Sequence, residues 1–385
     1  MNKIYLVTLT PLSEYFFGGK KIFFKKNSNE INSSKKEEKY YFVKSEKFPQ
    51  QSSLLGMIRK EMLIKNNLFK NSNDYSKEEK EAIVKIIGKE SFCFKKEDQN
   101  FGKIKKISPI FIMDENLYIK TPLDFLPSKE NSETGNNNEI FSLNKNKKFL
   151  VNYDKDNSKE FYLLEKYDDK KGLNNSYINL KTLSQKEENE IFKEKIKSYV
   201  NLLNSTNRVN KEEDNNYYMI QKYEMCKKLK FAFYLELETE ESFDKYENIV
   251  YLGGENSYFK ISFIEEKEES EIEELINKKL SKLEKYMGCN EHFSKIYLIS
   301  STFIDKDIYN ENVEFAIAKT TNFKNFNSNN NSFNFENREL LSSGTVLYVK
   351  NQNIEKLEKE LNSYENAKKI GFNYYYKGGE INEYN

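Results

Sequence analysis

Apolar side chains occupy odd and even positions alike near the start of the chain, with Ile4 and Leu6 alternating against Tyr5, Val7 and Leu9. An extended chain turns successive side chains to opposite faces, so Met1 to Thr10 is predicted to be a strand covered on both sides, central in a sheet. A strand so placed fixes the position of the segments joined to it. Two of these stand out: Tyr15-Phe16-Phe17-Gly18-Gly19-Lys20-Lys21, and then Phe48-Pro49-Gln50-Gln51-Ser52-Ser53-Leu54-Leu55-Gly56-Met57-Ile58-Arg59-Lys60. Paired glycines permit backbone paths closed to other residues. Pro49 with Ser52 and Ser53 opens an amphipathic helix whose first-turn N–H groups lack internal partners. With the neighbouring lysines and Arg59, the two segments read as a cradle for anions such as phosphate oxygens.

The chain has 385 residues, enough for two domains at roughly 150 residues each. Apolar residues are only 37%, yet 27 Tyr and 29 Phe with no Trp bring aromatics to 15%, so the core is expected to be built from rings and Ile/Leu with long polar insertions outside it. A net charge of +1 argues against a global basic field gripping nucleic acid. The distribution is uneven. Residues 1–60 hold twelve Lys/Arg against five acids, whereas residues 236–275 hold fourteen acids against three lysines. One end suits a polyanion, the other solvent or a basic protein. Cys93, Cys226 and Cys289 lie far apart without a Cys-x-x-Cys spacing, which implies neither a disulfide framework nor a zinc ribbon. No stretch approaches the roughly 20 apolar residues of a membrane span, and no cleavable apolar leader precedes the first strand, so a cytoplasmic location is expected.

Along the chain, Lys25 to Lys39 reads as a polar loop between the halves of a hairpin, resumed at Tyr40-Tyr41-Phe42-Val43. The helix beginning near Ser53 places Leu54, Leu55, Ile58 and Met62 on one face, with Gly56 on its flank as a point of close backbone approach. From Lys129 to about Glu190 the composition is that of an insertion, expected to be mobile over Lys129–Asn157 as over Lys25–Lys39, because too little apolar surface is buried to offset ordering. Phe231, Phe233, Leu235 and Leu237 alternate as a half-buried strand. Ile272, Leu275, Ile276, Leu280 and Leu283 mark a helix running to Met287, with Gly288 placed to end it. Strands and helices alternate in both halves with hairpins between, the pattern of split βαβ or ferredoxin-like units.

The order Thr10-Pro11-Leu12, Phe16 to Gly19, Tyr41 to Ser45, Phe48 to Arg59, Ile107-Ser108-Pro109, Pro122-Leu123-Asp124, Leu252 to Glu255, Ser343 to Val346 and Ile370 to Asn373 resembles the RAMP superfamily of CRISPR proteins. Within it, the chain is most similar to the third-subunit group of type III-B (Cmr) RNA-targeting complexes. The Pro49–Arg59 block is the most specific of these matches. The resemblance implies an α+β fold of two ferredoxin-like (RRM-like) domains, set here at 1–200 with an insertion at about 129–190, and 201–385. It implies binding of the repeat-derived 5′ tag of a guide RNA (crRNA), in a hetero-oligomer with the large Palm-domain subunit and a backbone RAMP subunit. It implies no catalytic centre, cofactor or metal. The RNA-contact set it marks is Gly18, Gly19, Lys20, Lys21, Lys44, Gln50, Gln51, Ser52, Ser53, Gly56, Arg59, Lys60, Asn207, Arg208, Gly253, Gly254 and Gly371.

Each feature also has a plainer reading. Both glycine pairs serve ordinary turns, Lys20 and Lys21 a solvated tip, Arg59 a surface ion pair, and Asn207-Arg208 a linker. The Tyr374-Tyr375-Tyr376 run has the chemistry to stack bases, although aromatics this numerous belong mostly to the core. Some RAMP relatives cleave RNA with a histidine, and the single histidine, His292, makes an endoribonuclease the rival function. No nucleophile or base supports it locally, and Cys289 with His292 supplies two of the four ligands a structural zinc requires.

Overall fold

The computed structural model describes residues 2–25, 39–71, 74–89, 91–94, 99–124, 143–154, 157–164, 175–200, 217–240, 242–267, 270–286, 293–327 and 334–378. Asn207, Arg208, Gly288, Cys289 and His292 lie outside them, as do residues 26–38 of the first polar insertion and 129–142, 155–156 and 165–174 of the second. The fold is mixed α/β and rich in sheet.

The first strand, Asn2–Pro11, is central as its two apolar faces require. It pairs antiparallel with Lys230–Glu238 on one side and Tyr258–Glu265 on the other, within a nine-stranded sheet. Tyr5, Val7 and Leu9 enter one core cluster, while Ile4 and Leu6 pack against a second. The helix Gln51–Lys65 covers the first face through Leu54, Leu55, Ile58 and Met62. The helix Ile272–Leu280 covers the second. It ends in a tighter 3₁₀ turn, Ser281–Tyr286. The strand Lys230–Glu238 is buried on both faces rather than half-buried, because Ala232 and Tyr234 pack beneath Ile272, Leu275 and Ile276. Its tyrosine reads as polar in a pattern of alternation but buries its ring like any other apolar side chain.

The division expected at 200/201 does not coincide with a break in the sheet. The first strand finds both its neighbours after residue 229, so the main core is assembled from the two halves of the chain together.

A four-stranded sheet carries the C-terminal part. Its chain order is Phe293–Leu298, helix Lys306–Asn312, Val313–Ile317, Val346–Lys350, helix Ile354–Ser363, Tyr375–Lys377. In space the order is second, third, first, fourth, antiparallel throughout. One face buries Ile354, Leu357 and Leu361 of its own helix. The other, with Tyr297, Tyr348 and Tyr374, joins the second cluster of the central sheet. The join contains a buried ion pair. Lys295 Nζ lies 2.8 Å from Asp124 Oδ2, and the Tyr348 hydroxyl donates to the same oxygen at 3.0 Å.

Within the second insertion, Leu143–Asp154 and Asn157–Leu164 form a hairpin. Ser176–Asn179 and Gln185–Glu187 instead join the nine-stranded sheet, with Tyr177 and Ile178 buried in its two clusters, so the stretch expected to be insertion up to about Glu190 is already core from Ser176 onward. No helix among the described residues is long and apolar enough to cross a membrane.

Candidate nucleic-acid interface

A second four-stranded sheet stands beside the main core, in the order Phe192–Val200, Tyr217–Met225, Lys39–Glu46, Phe17–Lys25. Two hairpins from distant parts of the chain build it, joined by parallel pairing of Tyr41–Val43 with Tyr218–Ile220. The four strands hold nine lysines against three glutamates, a net charge of +6 in a chain whose total is +1. The cationic excess of the N-terminal segment is thus joined by Lys193, Lys195, Lys197 and Lys222. Sequence reasoning missed these four, although Lys193-x-Lys195-x-Lys197 has the period-two spacing that puts side chains on one face.

The first glycine pair shapes the outer strand. The register shifts between Gly18 and Lys21, and a Cβ at Gly19 would collide with the Lys44 carbonyl, so this bulge needs glycine. Lys20, Lys21 and Lys44 are exposed around it. The second pair meets the residues just before the first. Gly254 N donates to the Phe16 carbonyl at 2.9 Å, and Phe16 N donates to Ser257 Oγ at 2.8 Å. Gly253, at φ +98°, lies so close that a Cβ would enter the Phe16 carbonyl and the Phe17 ring. Lys222 Nζ donates to the Glu255 carbonyl at 3.3 Å, tying the glycine loop to the basic sheet. The strands to either side of Asn207-Arg208 are the hairpin Phe192–Val200 and Tyr217–Met225.

The base of this sheet carries a second group of cations. Glu188 accepts from Lys47 at 2.5 Å and from Lys120 at 3.1 Å, and Lys319 Nζ donates to the neighbouring Asn175 Oδ1 at 2.8 Å. Burial alone would raise the Glu188 carboxyl, but Lys120 and Lys47 outweigh it and hold the group below its ordinary value. Burial lowers Lys120 and Lys319.

The helix start differs from the expected cap. The helix begins at Gln51, Gln50 is its N-cap in extended conformation, and no side chain caps it. Ser52 and Ser53 therefore sit inside the first turn, Ser53 exposed. Gln51 is buried, its Nε2 3.5 Å from the carbonyls of Ser108 and Gly371, and its Oε1 has no hydrogen-bond partner. Gln51 and the buried Gly371 are thus brought to each other, inside the protein and not onto the basic sheet.

Gly56 makes no close approach to any described backbone; it is exposed, and nothing lies within 4 Å of a Cβ built there. Arg59 is not a surface ion pair. Its guanidinium lies 5.6 Å from the Phe101 ring centre, Nε and Nη2 are buried without a hydrogen-bond partner, and burial pulls its pKa down to about 10. Lys60 is exposed with Nζ 4.9 Å from the Phe69 ring centre. Tyr374 is buried in the second core cluster, so the Tyr374-Tyr375-Tyr376 run is in part core.

The family model described as CRISPR-associated protein (Cas_Cmr3) matches residues 7–379. No curated protein matches the chain. Among solved structures, it is similar to a chain of the type III-B Cmr-beta assembly determined by cryo-EM with cognate target RNA bound, at 13% identity and a TM-score of 0.47, covering 97% of this chain and 96% of that one. A chain of the same assembly with cognate target RNA and AMPPnP gives 12% identity and a TM-score of 0.46, covering 96% and 95%. The family match runs from the first strand, through both glycine pairs and the basic sheet, to the end of the C-terminal sheet, and the chain therefore belongs to the Cmr3 family of CRISPR-associated proteins.

Proposed function

We propose that this chain is the non-catalytic subunit of a type III-B effector complex that holds the repeat-derived 5′ tag of the guide RNA and docks to the large Palm-domain subunit and a backbone RAMP subunit. The observation that carries the reading is the gathering of charge. In a nearly neutral chain, one sheet holds a net +6, the first glycine pair bulges its outer strand, and the second docks on Phe16 and Phe17 just before that bulge. Lysines at such a surface position phosphates, and backbone amides beside glycines assist; base contacts then supply sequence preference. We read the C-terminal unit as ferredoxin-like from its strand order. The middle of the central sheet uses the same order, with the strand Glu247–Tyr251 in the second crossover where a helix would stand.

Guide binding by the reconstituted complex, measured against salt, tests the reading. Replacing Lys20, Lys21 and Lys44 together by Gln is expected to weaken retention for every tag sequence and to flatten the salt slope by about 0.7 unit for each phosphate no longer neutralised. His292→Ala is expected to leave the length distribution of RNA incubated with the protein unchanged. An unchanged slope in the triple variant removes the basic sheet from the interface, and loss of cleavage in His292→Ala would install the endoribonuclease instead.

A further inference from the structure

The basic sheet carries a row of tyrosines. Tyr199 faces Tyr218 across the antiparallel pair, and Tyr218 faces Tyr41 across the parallel one. Residues in register on neighbouring strands point to the same face, so the three rings lie side by side across three of the four strands. The Tyr199 and Tyr218 rings are stacked, 5.2 Å between centres and 10° between planes. Cations sit at both ends of the row: Lys222 Nζ is 5.9 Å from the Tyr199 ring centre and Lys21 Nζ is 5.8 Å from that of Tyr41. Lys195 and Lys197 share this face, opposite Lys222 and Ile220. The half of the face nearest the glycine loop is closed, with Ile220 and Lys222 buried. The tyrosine half is partly exposed.

Core tyrosines in this chain, such as Tyr5, Tyr15 and Tyr234, are fully covered by apolar neighbours. Stacked rings left partly open among lysines are a different arrangement. We propose that Tyr199, Tyr218 and Tyr41 form a stacking platform for unpaired bases of single-stranded RNA, whose phosphates are met by the exposed Lys21, Lys195 and Lys197. This deepens the RNA-binding reading above and rests on it. An acidic protein would satisfy the lysines, but it offers nothing specific to the ring faces. Single-stranded RNA supplies both groups, a flat π-face and a phosphate at every nucleotide. Burial, and after it the nearby Glu255 carboxylate, raise the Tyr218 phenol above its ordinary value.

The test compares the full chain and its variants on a single-stranded oligouridylate and on an abasic ribose-phosphate strand of equal length, at low salt. Tyr199→Ala and Tyr218→Ala are each expected to weaken binding of the base-bearing strand by about tenfold. The abasic strand and the salt slope should not change, and Tyr218→Phe should bind like the parent. Equal losses on both strands, or no loss on either, overturn the platform and leave RNA binding standing. If the parent chain holds neither strand, the platform falls together with the RNA-binding reading. A measurement independent of variant folding uses 2-aminopurine in the oligouridylate. Quenching by the unmodified protein is expected, and undiminished fluorescence of the bound strand overturns the proposal.

Discussion

At Arg59 the protein holds a positive charge under partial burial with no carboxylate among the described residues to answer it. A guanidinium taken out of water unpaired is destabilising, so an arriving phosphate gains more here than at a solvated lysine. Arg59→Ala is accordingly expected to weaken guide retention and flatten the salt slope by about 0.7–1 unit, with melting unchanged or slightly raised. A melting drop without a slope change assigns Arg59 to packing on Phe101 alone. Gly56 allows a cleaner test, because its surroundings are open. Gly56→Ala should stabilise the helix by about 1 kcal/mol, whereas Gly56→Phe should reduce guide retention without lowering the melting temperature. Glu188 brings pH dependence. Its folded-state pKa lies below the ordinary 4.5, so its contribution is complete above that value and is lost as pH falls through the folded value. Glu188→Gln should cost about 2 kcal/mol at neutral pH, and the gap between variant and parent should narrow as pH falls below 4.5 and close once the folded carboxyl is protonated. A gap that persists into acid would show that shape rather than charge is responsible.

Among the elements, the C-terminal sheet is fastened to the central one by Asp124, Lys295 and Tyr348. Both charged partners are almost wholly buried, so deleting one strands the other in a low dielectric. Asp124→Leu or Lys295→Met alone should destabilise by about 3–5 kcal/mol, and the double replacement by much less. Additive losses in denaturant melts would contradict that coupling. The elements themselves are largely legible in the sequence. Ile4/Leu6 against Tyr5/Val7/Leu9 read correctly as a two-faced strand, and Leu54, Leu55, Ile58 and Met62 as a buried helical face, because both are statements of local periodicity. The helix start is misread because Ser52 and Ser53 resemble caps, while Gln50 caps without a side chain. The burial of Tyr234 escapes the pattern because its ring is apolar and its hydroxyl is not.

For the whole molecule, the pairing of Asn2–Pro11 with strands after residue 229 makes the two halves interdependent. A fragment ending at residue 200 leaves that strand without either neighbour and the apolar face of Gln51–Lys65 without its floor. It is expected to lack near-ultraviolet dichroism and protected amides; a cooperatively melting fragment would overturn this. Family membership, most of the core strands and helices, both glycine pairs, and Lys20, Lys21 and Lys44 among the nine lysines of the basic sheet were determined by the sequence alone, since motif order and residue spacing are local properties. Which strands are neighbours was decided only in three dimensions. Sequence showed Gly18-Gly19 and Gly253-Gly254 as two turns, Tyr41 as part of a hairpin, and Arg59 as a cradle residue or a surface ion pair, with no element assigned to Lys193–Tyr199. The docking of Gly253-Gly254 on Phe16 and Phe17, the alignment of Tyr199, Tyr218 and Tyr41, and the burial of the guanidinium all depend on non-local pairing and packing. Side-chain periodicity records which face a residue takes, but not which distant segment will cover it.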